Sequence, residues 1–155
     1  MPTSNNMNDL AGNILIATTA LKDTYFEDAH LFITEHNDNG AAGFVFNKLF
    51  KRKLNELEEF SSVAAIDIYE GGPMDNEHLY FLHKNVSPGG EHIKDGIYFG
   101  GNIHRAASLL SQGKLSLDEI KIFIGYCGWN KGELEAEIAE GSWMVSHSPA
   151  NIFIH

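Results

Sequence analysis

The sequence predicts an α+β fold with a mixed, largely antiparallel sheet, on three observations. Apolar segments of strand length recur along the 155 residues and outnumber the stretches with helical periodicity. Two of them flank Asn37-Asp38-Asn39-Gly40, a hairpin signal, because Asn and Gly tolerate the positive φ that a tight β-turn needs. Strands that come partly as hairpins, rather than alternating one by one with helices, argue against a purely parallel α/β sheet. The length suits one domain with its own core, and no repeat, low-complexity tract or linker divides it.

Taken in order, residues 1–9 read as a loose polar arm and residues 10–155 as the domain. Asn13–Thr18 reads as a buried strand, and Lys22–Asp28 as a polar connection carrying two aromatics. In the hairpin, His30–His36 faces Ala41–Asn47. With Asn39-Gly40 as the loop, His36 lies opposite Gly43, Thr34 opposite Val45 and Phe32 opposite Asn47. This pairing puts Thr34, His36 and Asn47 on one face, and Ile33, Glu35, Phe44 and Phe46 on the other. A slip of one residue would destroy the grouping. Leu54, Leu57 and Phe60 recur at a spacing of three, which predicts a short amphipathic helix. Ala65–Tyr69 is a strand ending in the turn Glu70-Gly71-Gly72-Pro73. His78–His83 and Ile97–Phe99 are further strands, with a flexible loop at Ser87–Gly90 between them. Asn102 is placed to cap a helix that Gly113 closes. Lys121–Gly125 is a strand and Gly132–Glu140 an acidic helix. Ser142–Ser146 and Ile152–Ile154 complete the strands.

Composition narrows the function. Hydrophobic residues make up 43% of the chain, so disorder is not the default. The net charge is −10. Phosphate backbones are held by clustered cations, so direct nucleic-acid binding is disfavoured. The single basic run, Lys48–Lys53, reads as a solvated connection after a strand. One cysteine cannot form an intrachain disulfide, and no Cys/His spacing suggests structural zinc. The polar N-terminus lacks the charged and apolar regions of a signal peptide. No apolar run is long enough to span a bilayer. The expectation is a cytoplasmic protein with no cofactor and no metal.

Chemistry-bearing residues are few. Cys127 sits in Gly125–Ile138 (GYCGWNKGELEAEI), shortly before a helix start, where a thiol pKa can be lowered. No histidine shares the motif, and Glu133, Glu135, Glu137 and Glu140 would oppose a thiolate. A buried, inert cysteine is the better reading. Tyr126 and Trp129 around Gly128 read as a strand-to-helix corner that can also roof a pocket. Glu133 suits the helix N-terminus. Thr34, His36, Asn47, Trp129 and Glu133, with the backbone of Gly71 and Gly72, form the candidate ligand or partner surface. No H-E-x-x-H, G-x-S-x-G or Walker loop is present, and no catalytic residue is assigned. The alternative is a small hydrolase-like or ligand-processing enzyme using the His36/Asn47 face with Glu35 or Glu133 as acid.

Three stretches together resemble the YqgE/AlgH family of bacterial proteins. They are LAGNILIATTALKDTYFEDAHLFITEHNDNGAAGFVFN, the EGGP turn, and GYCGWNKGELEAEIAEGSW, and the likeness runs from Leu10 to Phe153. It rests on Leu10, Gly12, Ala17, Phe26, Glu35, His36, Gly40, Ala41, Gly43 and Asn47. To these it adds Gly71, Gly72, Pro73, Gly125, Gly128, Trp129, Gly132, Leu134, Glu135, Glu137 and Trp143. The chain departs from the family at Thr19 (usually Pro), Lys48-Leu49 (usually Arg-Pro) and Glu133 (usually Gln). Cys127 holds a position usually taken by a small residue. The resemblance implies a barrel-like sheet with flanking helices and a further helical segment beyond Phe153, which this chain is expected to lack. Family activity is unassigned, and some members carry the label of transcriptional regulator. The expectation is therefore a non-enzymatic binding or regulatory protein that meets a protein or small-molecule partner.

Overall fold

The computed structural model describes residues 9–147 and 152–153. Most of the expected N-terminal arm and the end of the expected Ile152–Ile154 strand lie outside these residues, and Ile152 and Phe153 form a turn. The described residues hold ten strands and two α-helices. The strands are β1 (Ile14–Ala17), β2 (His30–Asn37), β3 (Gly40–Val45), β4 (Leu49–Lys53), β5 (Asp67–Glu70), β6 (Met74–His83), β7 (Glu91–Lys94), β8 (Ile97–Phe99), β9 (Ile120–Asn130) and β10 (Trp143–Ser146). The helices are α1 (Ile103–Ser111) and α2 (Glu133–Ala139). The sheet runs β10-β1-β2-β3-β9-β6-β8-β7, with β5 joined to β9 and β4 to β5. All pairings are antiparallel except β5 with β9. The path ends at β10 and β7 without closing, so the sheet is open and the expected barrel-like closure is absent among the described residues.

β9 organises the molecule. Its first half lies between β5 and β6, while Cys127–Asn130 pairs with β3. The strand changes direction at Gly125, whose φ of 75° lies in the left-handed region. The chain after β5 crosses it here at very short range. A Cβ on Gly72 would lie 2.2 Å from the backbone of Tyr126, and one on Gly71 would lie 2.4 Å from the Gly125 carbonyl oxygen. The Gly71 amide donates to the Ile124 carbonyl at 2.9 Å, and the Val45 amide donates to the Gly71 carbonyl at 2.8 Å. The Gly-Gly pair therefore acts as a crossing of three strands and not as a free turn.

Several expected elements shift for physical reasons. Leu54–Phe60 forms two 3-10 turns, Leu54–Glu56 and Glu58–Phe60, in place of a helix. A spacing of three matches the three-residue period of a 3-10 turn, and Leu54 and Phe60 still reach the core. The basic run is a strand, β4. Gly125–Asn130, expected as a corner, continues as strand, and the turn to α2 comes at Lys131-Gly132. The Asn102 cap is found as expected: its side chain accepts the Arg105 amide at 3.0 Å, and Gly113 follows α1 with a φ of 73°.

Three apolar clusters fill the interior. One, built on Phe32, Phe44, Tyr69, Leu82 and Phe123, lies on one side of β2 and β3. A second packs α1 and the 3-10 turns against β5, β6 and β9. The third joins Leu15, Leu31, Val45 and Trp143 to Leu134 of α2. Lys121 is buried among them at 2% exposure. Its Nζ donates to the Phe46 carbonyl at 3.1 Å and stands 4.1 Å from the centre of the Tyr69 ring. Burial pushes its pKa down to about 8.

Two outcomes are expected. Gly72→Ala places a methyl group against unyielding backbone and costs at least about 3 kcal/mol in urea unfolding. Gly132→Ala has open space around its Cβ and costs about 1 kcal/mol from positive φ alone. For Lys121, the unfolded chain holds the proton up to about pH 10 while the folded chain releases it near 8. Folded-state stability therefore rises through that window. Lys121→Met is expected to be more stable than the parent by about 2 kcal/mol near neutral pH, with the difference shrinking towards pH 10 in paired denaturation curves.

Candidate functional site

The hairpin register decides which side chains meet. Asn37 pairs with Gly40, so the two-residue loop is Asp38-Asn39 and not Asn39-Gly40. Neither loop residue has positive φ; Gly40 takes that burden at 137°. Its missing Cβ would lie 2.1 Å from the Trp129 carbonyl oxygen, so the glycine is needed where β3 meets β9. The Asn37 Oδ1 accepts the Asn39 amide at 2.7 Å and closes the loop locally. His36 then pairs with Ala41 and Glu35 with Ala42. Beyond an irregularity at Thr34, Ile33 pairs with Gly43 and Phe32 with Phe44. This bulge reverses the alternation.

The expected face of Thr34, His36 and Asn47 is therefore dispersed. His36 falls on the α2 side, with Ile33 and Leu31. Its imidazole is only 5% exposed; Nδ1 accepts the Leu10 amide at 2.9 Å, and Nε2 meets Glu135 Oε2 at 2.8 Å. With Nδ1 accepting, Nε2 carries the proton towards Glu135. That hydrogen bond, first among its causes, holds the Glu135 carboxyl below its usual range. Asn47 sits elsewhere, bracing the turn before β2. Its Oδ1 accepts the His30 amide at 2.9 Å, and its Nδ2 donates to the Asp28 carbonyl at 2.8 Å. The two residues are satisfied separately, and the catalytic face imagined for them does not assemble.

Thr34, Trp129 and Glu133 do come together, along an open groove of about 720 Å³. The bulge turns Thr34 and Glu35 both towards it. Its floor is aromatic: Phe44 lies 5.6 Å from Tyr80 and 5.6 Å from Phe99, and Tyr80 lies 5.8 Å from Tyr126, centre to centre. Glu35, Glu91 and Glu133 stand around this floor, with Met74 and Trp129 at its sides. Among the described residues, no Lys, Arg or His lines it. Glu133 Oε1 accepts the Asn130 amide at 2.7 Å, which holds its side chain at the start of α2. Trp129 is fixed from behind. Its Nε1 donates to Glu137 Oε1 at 3.1 Å, and Trp143 donates to the same oxygen at 2.9 Å. Below the rim, the Tyr80 hydroxyl donates to Asp75, which also meets His78 Nδ1 at 2.7 Å. These bonds, from Tyr80 first, keep Asp75 ionised below its usual range; burial and Asp75 push Tyr80 up to about 12. Gly71 and Gly72 contribute the crossing beside the groove and not an exposed anion nest.

The sequence signals missed Phe44, Tyr80, Glu91 and Phe99. Phe44 and Tyr80 lie in strands that were foreseen, but only the β2–β3 bulge and the place of β6 beside β9 bring them together. Glu91 lies in β7, where no element was expected. Tyr126 reads in sequence only as an aromatic of the Gly125–Ile138 motif.

Cys127 is buried, and its thiol donates to the Gly71 carbonyl at 3.3 Å. Burial, above all, pushes its pKa up to about 12. The native thiol is expected to resist a thiol-reactive dye near neutral pH and to react at the rate of a free cysteine once unfolded. Fast labelling of the folded protein would contradict the inert reading.

Comparison with known proteins shows the family and the fold. The family model DUF179, described as AlgH-like, matches residues 14–155. A UPF0301 protein of Parabacteroides distasonis is 36% identical over 149 residues, spanning 94% of this chain and 75% of the relative. One from Chlorobium luteolum is 36% identical over 146 residues, spanning 92% and 77%. The solution structure of the AlgH protein from Pseudomonas aeruginosa superposes with a TM-score of 0.76 at 28% identity, covering 95% of this chain and 82% of that one. The crystal structure of a Corynebacterium diphtheriae protein shares the fold at a TM-score of 0.74 and 16% identity, covering 92% and 78%. The chain belongs to the AlgH-like family of UPF0301 proteins.

Proposed function

We propose that this is a cytoplasmic, non-enzymatic binding protein whose groove accepts a positively charged group on an apolar or planar stem, as an arginine-bearing segment of a protein partner presents. The observation that carries this reading is the aromatic floor of Phe44, Tyr80, Phe99 and Tyr126 ringed by Glu35, Glu91 and Glu133, with no cation in the lining among the described residues. Aromatic faces attract cations through their quadrupole, and carboxylates match a guanidinium with paired acceptors. The volume is that of a ligand site and exceeds one side chain, so neighbouring residues of a peptide also find room. The net charge of −10 steers cationic partners inwards. Regulation by such a protein, as the label carried by some family members suggests, would run through protein contact and not through DNA.

The test is a titration of the protein with an acetylated, amidated Ala-Arg-Ala peptide, read on the Trp129 indole resonance by NMR. The peptide is expected to move that resonance. Glu35→Gln combined with Glu91→Gln weakens binding about tenfold, the loss of about 1.4 kcal/mol. Equal binding of the citrulline peptide, which keeps the shape and loses the charge, would sink the proposal.

A further inference from the structure

A second cleft lies beyond the Glu70–Pro73 crossing, between the turn carrying Tyr25, strand β4 and the start of β6, with a volume of about 600 Å³. We infer that this cleft binds a planar aromatic anion of the nucleoside monophosphate class, held by Lys51 and Arg52 between the rings of Tyr25 and Phe50. The inference is independent of the acidic groove.

The argument starts from β4. Neighbouring residues of a regular strand point to opposite faces. Lys51 and Arg52 are neighbours, yet both line the cleft. The ladder explains this: β4 pairs with β5 only at Leu49↔Tyr69 and Lys53↔Asp67, so four steps of β4 oppose two of β5. The surplus residues bulge, and a bulge re-aims side chains, as it does for Thr34 and Glu35 at the first groove. Edge strands often carry lysines merely to repel pairing with other sheets. That role needs charges pointing outward along the edge. It does not call for two adjacent cations turned onto one cleft beside two aromatic rings.

The cations here differ in their commitments. Lys53 is paired with Asp67 at 2.6 Å, and Lys48 stands over the Tyr25 ring at 4.6 Å. Among the described residues, Lys51 and Arg52 form no ion pair. Lys48, Lys51, Arg52 and Lys53 are four of only eleven Lys and Arg in a chain of net charge −10, so this is an electropositive island on an acidic protein. Tyr25 and Phe50 are the aromatic residues of the lining, and a base stacks on such rings. Glu70 also lines the cleft. A carboxylate there opposes a bare multivalent anion but accepts hydroxyl hydrogen bonds, which suits a ribose between base and phosphate. Two cations against one carboxylate leave a site for a single phosphate.

The test is an amide NMR titration of the whole chain with AMP, adenosine and inorganic phosphate in parallel, at low and at physiological salt. AMP is expected to shift Phe50, Lys51 and Arg52, with affinity falling as salt rises. Adenosine and phosphate should each bind at least about tenfold more weakly. Lys51→Gln with Arg52→Gln, both exposed positions, should weaken AMP about tenfold and leave the arginine-peptide titration unchanged. AMP shifts that are absent or map elsewhere would overturn the inference, as would unaltered binding by the double variant. Phosphate binding as tightly as AMP would do the same, because the rings would then play no part.

Discussion

The structure depends on one close approach, the passage of Gly71-Gly72 across β9 at Gly125-Tyr126. Backbone meets backbone there with no room for a Cβ on Gly71, Gly72 or Gly125, where the nearest atoms would stand 2.2–2.5 Å away. Three strands are tied at the point: Gly71 donates to Ile124, accepts from Val45, and takes the Cys127 thiol on the same carbonyl. Asn76 adds a side-chain bond to the Gly72 carbonyl at 3.0 Å. The crossing sets the bend of β9, and that bend lets one strand serve two parts of the sheet. It also accounts for the burial of the single cysteine inside the most distinctive motif: its thiol lies against the crossing and bonds the Gly71 carbonyl.

The far end of β9 adds charge to close approach: Gly40 passes against the Trp129 carbonyl, and carboxylates of α2 bind the side chains around it. Glu137 takes two indole N–H donors on one oxygen, and Glu135 takes the imidazole of His36. The acidic helix α2 is thus fastened to β2, β9 and β10 by its own carboxylates, while Leu134 buries beneath it. Two of the four glutamates of this stretch therefore organise aromatic and histidine partners. Glu133 and Glu140 do not share that work, which leaves Glu133 to border the groove.

Much of this was legible in the sequence. Most of the strands, the Asn102 cap, the acidic helix and the burial of the cysteine follow from local pattern, where periodicity and capping decide. The candidate site was legible only in part. Thr34, Trp129 and Glu133 meet, but His36 does not join them, because a bulge at Thr34 exchanges the faces of β2 halfway along its length, and Asn47 lies past the end of β3, bonded to the turn before β2. Nothing in the local sequence marks a bulge, since the extra residue is accommodated by a Thr34 hydroxyl bonding the Ala42 carbonyl across the pair. The loop position also escaped. Asn39-Gly40 has the composition of a tight turn, yet Gly40 is required one place later by its contact with Trp129 on another strand. Likewise β4 and β7 lack alternation because both are short, irregularly paired strands, and the 3-10 turns satisfy the same apolar spacing that suggests a helix.

Bulges also account for where charge gathers. In a regular sheet, alternate residues share a face and adjacent ones do not, so neighbours in sequence do not enter one cavity. At Thr34-Glu35 and again at Lys51-Arg52, a bulge instead delivers neighbours in sequence to one cavity. A third irregularity in β6, between Met74 and Leu79, includes Asp75 at a φ of 52°, where it meets both Tyr80 and His78. These departures surround the glycine crossing, with Met74 bordering the acidic groove and Pro73 and Asn76 the basic one. A rigid crossing tolerates such departures because its short backbone contacts fix the strands independently of ladder regularity. The same constraint that forbids side chains at Gly71 and Gly72 thereby frees the flanking strands to carry unlike charges into two separate cavities, one on either side.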